Sequence, residues 1–241
     1  MRISRVVLCL VVVLIATANG QGLDSSKPDK GRVKSVLDAK IEKIELTDAI
    51  LRDGLSELSL KSIDGFHIGF EEIIRETIQD NPTAVSSHFT LQLQRKTVRE
   101  ILDALCESDA RYTWSQDGDS INVYPRAARE DLSYLLGLKI ERITVSGIPD
   151  PDQGLTPLSK LFPEQQLGYA STGGDDTYAE PWTAQFERLT VRQFINRIAE
   201  HLGPRTSWIW QGGKDERMFT FIKGGFNHSA SSLVDKNVEH R

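Results

Sequence analysis

Phe89-Thr-Leu-Gln-Leu-Gln-Arg-Lys-Thr97-Val-Arg-Glu100-Ile-Leu102 carries an alternating strand straight into a capped helix. Trp182-Thr-Ala-Gln-Phe-Glu-Arg-Leu-Thr190-Val-Arg-Gln193-Phe-Ile195 does so again. In both, Thr is followed three residues later by Glu or Gln. The Thr oxygen accepts the third helical N–H while the longer side chain reaches back to the cap N–H. Thr-Val-Arg recurs at an offset of 93 residues (190 − 97). A supersecondary unit written twice argues against one large catalytic domain and for two small units in series.

Outward from each capped helix the two texts stay parallel. Val98, Ile101, Leu102 and Leu105 form one apolar stripe, and Val191, Phe194, Ile195, Ile198 and Leu202 form the other. Tyr112 and Trp114 then share a strand face, Asp117-Gly118 signals a hairpin, and Ile121 and Val123 return. In the second copy Trp208 and Trp210, Gly212-Gly213, and Phe219 with Phe221 take the same places. Upstream, Ile44 and Leu46 suggest a short strand. Thr47 or Asp48 is then placed to cap a helix bearing Leu51, Leu55 and Leu58, shortened by Gly54. Phe66, Ile68 and Phe70 alternate with His67, Gly69 and Glu71 as a half-buried strand. The second copy opens on Ile140 and Ile143. A helix through Leu155, Leu158, Leu161 and Phe162 follows, with Pro157 tolerated only in its first turn, and then a strand at Leu167 and Tyr169.

The expected fold class is α+β, with two tandem small modules, each of two helices packed on short β-sheets. The expected boundaries are a first module at 41–126, a linking helix at 127–139 that docks Leu132, Leu135 and Leu136 with Gly137 as its cap, and a second module at 140–224. Residues 225–241 are polar and expected to be disordered. Residues 1–20 are expected to be a signal peptide. Arg2 and Arg5 precede an apolar run from Val6 to Ala16, and Ala18-Asn19-Gly20 supplies small residues for cleavage. An uncleaved anchor is the alternative. Residues 21–40 read as a flexible leader.

With residues 1–20 removed, 27 Lys and Arg (29 less Arg2 and Arg5) face 34 Asp and Glu, a net charge of −7. That balance argues against nucleic acid or an anionic membrane as partner. No other segment is apolar enough to span a bilayer. Cys106 is then the one remaining cysteine, so no intramolecular disulfide forms. It falls on a helix stripe, as a buried apolar residue or, alternatively, a reactive thiol.

The order strand–helix–strand, strand–capped helix–hairpin resembles the short N-terminal domain shared by secretins and TonB-dependent transducers. The residues that carry it are Thr97-Val-Arg-Glu-Ile-Leu-Asp103-Ala-Leu105, then Tyr112-Thr-Trp114, Asp117-Gly118-Asp119 and Ile121-Asn-Val123-Tyr-Pro125. It spans most of residues 42–126 and, more weakly, 140–224. The resemblance implies a periplasmic, non-catalytic role in protein–protein contact, and it supplies no catalytic residues to transfer.

The chemistry legible in the residues is sparse. There is no G-x-S-x-G elbow and no H-E-x-x-H spacing, so no catalytic residue, cofactor or metal ligand is assigned, and a hydrolase is the least favoured class. His67 and Glu71 share a strand face, as a metal or proton-transfer pair or as a solvated polar face. Ser171 to Pro181 is a Gly- and Asp-rich loop, a surface loop or a poor calcium ligand set. Trp182, Trp208 and Trp210 are the candidate ligand contacts, since exposed aromatic pairs stack on sugar rings; core packing is the competing role. The expected function is an exported interaction module of the cell envelope, periplasmic or secreted. It would pair a sheet edge with another envelope protein; the alternative is a carbohydrate-binding protein using those tryptophans.

Overall fold

The computed structural model describes residues 35–62, 66–73, 87–147, 150–172, 180–212 and 217–226, all within the unit Lys34–Arg241. The expected signal peptide, most of the leader, residues 74–86, 173–179 and 213–216, and the tail from 227 lie outside the described residues. Two runs of elements follow the same order. The first is β1 (Lys40–Ala49), α1 (Leu51–Lys61), β2 (His67–Glu72), β3 (Phe89–Thr97), α2 (Val98–Ser108), β4 (Tyr112–Asp117) and β5 (Ser120–Pro125). The second is β6 (Lys139–Ser146), α3 (Pro151–Leu161), β7 (Leu167–Thr172), β8 (Thr183–Thr190), α4 (Val191–Leu202), β9 (Ser207–Gly212) and β10 (Arg217–Ile222). The fold is mixed α+β.

Pairing also follows one scheme. β1 and β3 form an antiparallel ribbon, as do β6 and β8. The hairpin β4–β5 takes β2 parallel beside β5, and the hairpin β9–β10 takes β7 parallel beside β10. Even the irregularities recur. Arg95 and Arg188, two residues before the capping threonines, both have left-handed backbone, with φ of 52° and 54°. That conformation costs an L-residue about 1 kcal/mol.

The sequence alone does not show that β2 also pairs parallel with β9. The two three-stranded groups thereby fuse into one six-stranded sheet, β4-β5-β2-β9-β10-β7. β2 is central and buried almost throughout, not half-buried as alternation predicted. Its Ile68 and Phe70 join Ile121, Val123 and Ile209 beneath α1 and α2. On the opposite face Trp208, Trp210, Phe219 and Phe221 pack under α3 and α4. The result is three layers, with one helix pair on each face.

Both capping boxes form. Thr97 Oγ1 accepts the Glu100 N–H while Glu100 accepts the Thr97 N–H, and Thr190 and Gln193 do the same. The Lys96 ammonium, together with the Thr97 backbone and hydroxyl, lowers the Glu100 carboxyl from its ordinary 4.5 to about 2. A depressed folded value gives stabilisation that is complete above the ordinary value and lost as pH falls through the folded one. The stability difference between wild type and Glu100→Gln is therefore expected to shrink between pH 4.5 and about 2. Urea titrations at several pH values would show it, and a constant difference would refute it.

Several expectations are corrected. Helix α1 is capped at Ile50, whose N–H donates to Asp53, because Thr47 and Asp48 are still in β1. It is as long as α2, since Gly54 is a packing site: a Cβ there would lie 2.4 Å from the Leu105 side chain. Pro157 sits inside α3, whose first turn holds Pro151. In place of the expected linking helix at 127–139 there are two 3-10 turns, Arg126–Arg129 and Leu135–Gly137, and Lys139 already opens β6. Leu135 and Leu136 are buried, but Leu132 is 92% exposed. Leu37, assigned to the leader, and Phe226, assigned to the tail, are both in the first core.

Candidate functional site

The joint between the two runs is sealed by polar groups. One stripe of α4, including Val191, Phe194 and Ile195, faces the second core. Its next stripe, Arg192, Asn196, Arg197 and Glu200, lies over the face of β2, β4 and β5 that α1 and α2 leave free. Arg192 holds the fully buried Glu71 through both guanidinium arms, Nε to Oε1 and Nη2 to Oε2, the latter at 3.0 Å. The Tyr134 hydroxyl also bonds this carboxylate. Arg192 lies 4.2 Å over the Tyr124 ring. Burial pushes the Glu71 carboxyl above its ordinary 4.5, and the bonds and charge of Arg192 pull against it. Asn196 bridges Asp117 and the Trp208 indole N–H, and Arg197 reaches Asp117 and Glu200. Arg192, Asn196 and Arg197 thus spend their side chains on partners within the chain, and the seam acts as a lock between the two runs.

The residues singled out in the sequence are dispersed. His67 and Glu71 do not act together: the His67 ring bonds the Thr206 carbonyl at 2.7 Å, and Glu71 belongs to Arg192. Neither is on a solvated face. Trp208 and Trp210 are 0% and 3% exposed, in the second core, so neither is placed to stack on a sugar. Trp182 is half-buried, stacked on His201 at 4.3 Å and edge-on to Phe186. Cys106 is buried, and burial raises its thiol to about 12, which leaves it unreactive. Asp175 and Asp176 lie outside the described residues. Among the described residues no group of His, Cys, Asp and Glu is arranged to hold a metal ion, and no helix is long and apolar enough to cross a membrane. A cleft lined by Arg52, Glu72, Ile73, Arg111 and Tyr112 has a volume of about 20 Å³, room for a water molecule.

The open backbone lies at the two ends of the sheet. Among the described residues nothing pairs with the outer edge of β7 or of β4. Lys223 N–H donates to the Thr172 carbonyl, so Thr172, Ala170 and Gly168 face β10. Leu167, Tyr169 and Ser171 therefore turn their N–H and C=O groups outward. Edge strands are commonly protected by charge, proline or a bulge. Leu167-Gly-Tyr-Ala-Ser-Thr172 has no charged residue and no proline, and its Tyr169 and Ser171 are exposed. β4 is likewise uncharged until Asp117. Sequence reasoning anticipated an open edge without locating it. Its position follows from the pairing order, and the lack of charge in the β7 segment leaves that edge unprotected.

Compared with family models, curated proteins and solved structures, the chain matches none.

Proposed function

We propose that this chain is an exported, non-catalytic interaction module of a bacterial cell envelope that binds an extended partner strand along the β7 edge. The observation that carries this reading is the outward row of backbone donors and acceptors at Leu167, Tyr169 and Ser171, on a strand without charge or proline. Added strands gain affinity from main-chain hydrogen bonds and specificity from alternate side chains. The charged, then apolar pattern of residues 1–20 supports export, and the secretin-like and TonB-like motif around Thr97 supports an envelope setting. The sugar-binding alternative retains only Trp182, whose ring already stacks on His201.

Ser171→Pro tests the edge. It removes an outward N–H, and an edge strand tolerates proline where its N–H faces solvent. With the full chain as bait in its native envelope, crosslinked capture is expected to fall about tenfold or more relative to Ser171→Thr. Equal capture by both variants would end the reading.

A further inference from the structure

The sheet already contains one joint between its two strand groups, and its ends are the remaining halves of such a joint. In β4-β5-β2 and β9-β10-β7 the hairpin leads and a parallel strand closes the group. The joint sets the closing strand β2 against the leading strand β9. The strands left at the ends are a closing strand, β7, and a leading strand, β4. We infer that the occupant of the β7 edge is a second copy of this chain, whose β4 lies parallel to β7 in the register of the β2–β9 joint, so that copies add head to tail. This rests on the edge-pairing reading above and names its partner.

The pairings fix the register. Phe70 is opposite Val123, which is opposite Trp114; Tyr169 is opposite Phe219, which is opposite Trp210. Phe70 thus corresponds to Tyr169, and Trp114 to Trp210. The joint's pairs Gly69–Trp208, Phe70–Ile209 and Glu72–Gln211 translate into Gly168–Tyr112, Tyr169–Thr113 and Ser171–Ser115 between copies.

Two observations fit that register independently. The first is a glycine. Gly69 leaves the space that the Trp208 ring fills: a Cβ there would lie 2.3 Å from it. Its counterpart Gly168 has no such neighbour among the described residues, the nearest of their atoms to a Cβ being the Arg217 carbonyl oxygen at 3.6 Å. Glycine weakens a strand unless another group approaches closely, and in the inferred joint the approaching group is the Tyr112 ring. The second is the direction of the free backbone groups. Arg126 N–H donates to the Arg111 carbonyl, so Arg111, Thr113 and Ser115 face β5, and Tyr112, Trp114 and Gln116 face outward. With Tyr169 opposite Thr113, the outward groups of Tyr169 meet those of Tyr112 and Trp114, as a parallel ladder requires. The side-chain faces agree as well, because α1 and α2 of the incoming copy fall on the face of Gly168 and Ala170. The Glu71–Arg192 ion pair is not reproduced. Its counterparts are Ala170 and Arg99, so the joint between copies is weaker than the internal one and reversible.

The test mixes two full-length chains, one carrying Ser115→Cys and one Ser171→Cys, both with Cys9→Ser. Neighbouring strands lie about 4.8 Å apart, within the Cα spacing that a disulfide spans. Mild oxidation is expected to give covalent dimers in the mixture and none in either solution alone. Sedimentation of the wild type is expected to show heavier species growing with concentration. Gly168→Val is expected to abolish them at unchanged melting temperature, since a Cβ there makes only ordinary contacts with the described residues of the single chain and the added side chain meets Tyr112 in the joint. A wild type that stays monomeric, crosslinks within one variant instead of the mixture, or heavier species that survive Gly168→Val would each overturn the inference. If the wild type is monomeric yet Ser171→Pro still loses envelope capture, the second copy is excluded and the edge reading stands. Capture indifferent to Ser171→Pro removes both.

Discussion

Glu71→Leu is expected to destabilise the chain by about 3–5 kcal/mol, and Glu71→Leu with Arg192→Met to recover most of that loss. The single variant leaves the Arg192 guanidinium in the seam with its carboxylate partner gone. Stacking on Tyr124 cannot replace two charge-assisted hydrogen bonds. The double variant removes both charges and keeps an unbranched side chain over Tyr124. Tyr134 then loses its acceptor, so recovery is incomplete. Urea unfolding of wild type, both single variants and the double variant measures the cycle. A double variant as unstable as the worse single one would show that the pair matters for its shape and not for its charge balance.

Trp208→Ala is expected to cost about 3–5 kcal/mol, through the cavity it leaves in the second core and the loss of the indole N–H bonded to Asn196 at 2.9 Å. Gly69→Ala is expected to cost about 1–3 kcal/mol for the opposite reason, overpacking against the same ring. The two losses are not additive. With the indole gone, a methyl group at position 69 meets little, and Gly69→Ala becomes nearly neutral. Coupling of about 1 kcal/mol or more in thermal or urea unfolding would locate the clash at this pair. Additive losses would mean that the Gly69 methyl collides with Asn122 instead, whose Oδ1 is 2.7 Å from the Cβ position.

Local structure was legible where one short rule decides it. The capping boxes at Thr97 and Thr190, the stripes of α2 and α4, and the hairpin at Gly118 were all written in adjacent residues. Helix α1 misled because Asp53 caps it from within, at the third helical position, so the conventional capping residues before it pointed elsewhere. The linker misled because Leu132, Leu135 and Leu136 have helical spacing in sequence, yet only the latter two find a core. The seam was illegible for a deeper reason. His67, Gly69 and Glu71 look like the wet side of a strand until α4 arrives to cover them. Nothing near Glu71 in sequence announces that Arg192 is its partner. Trp208 and Trp210 were ambiguous on the same ground, because whether an aromatic is wet or dry depends on what covers its face of the sheet. The open edge was expected in kind; its position follows only from the pairing order.

The β2–β9 pairing sets a schedule for folding. His67 and Thr206, in contact across it, lie 139 residues apart in the chain. A chain delivered from its N-terminus completes the strands of residues 40–125 well before β9 has been made. For that interval one side of β2 is a bare template, and Phe70 lacks Ile209 and Phe226 as neighbours in its core. Closing so long a loop is slow compared with forming a hairpin or a helix. The wait becomes a competition between the β9 still to come on the same chain and a like strand from a neighbour. Crowded delivery favours exchange of strands between chains, and sparse delivery favours self-closure. The strand that unites the finished molecule is thus also the point at which its synthesis is most exposed to error.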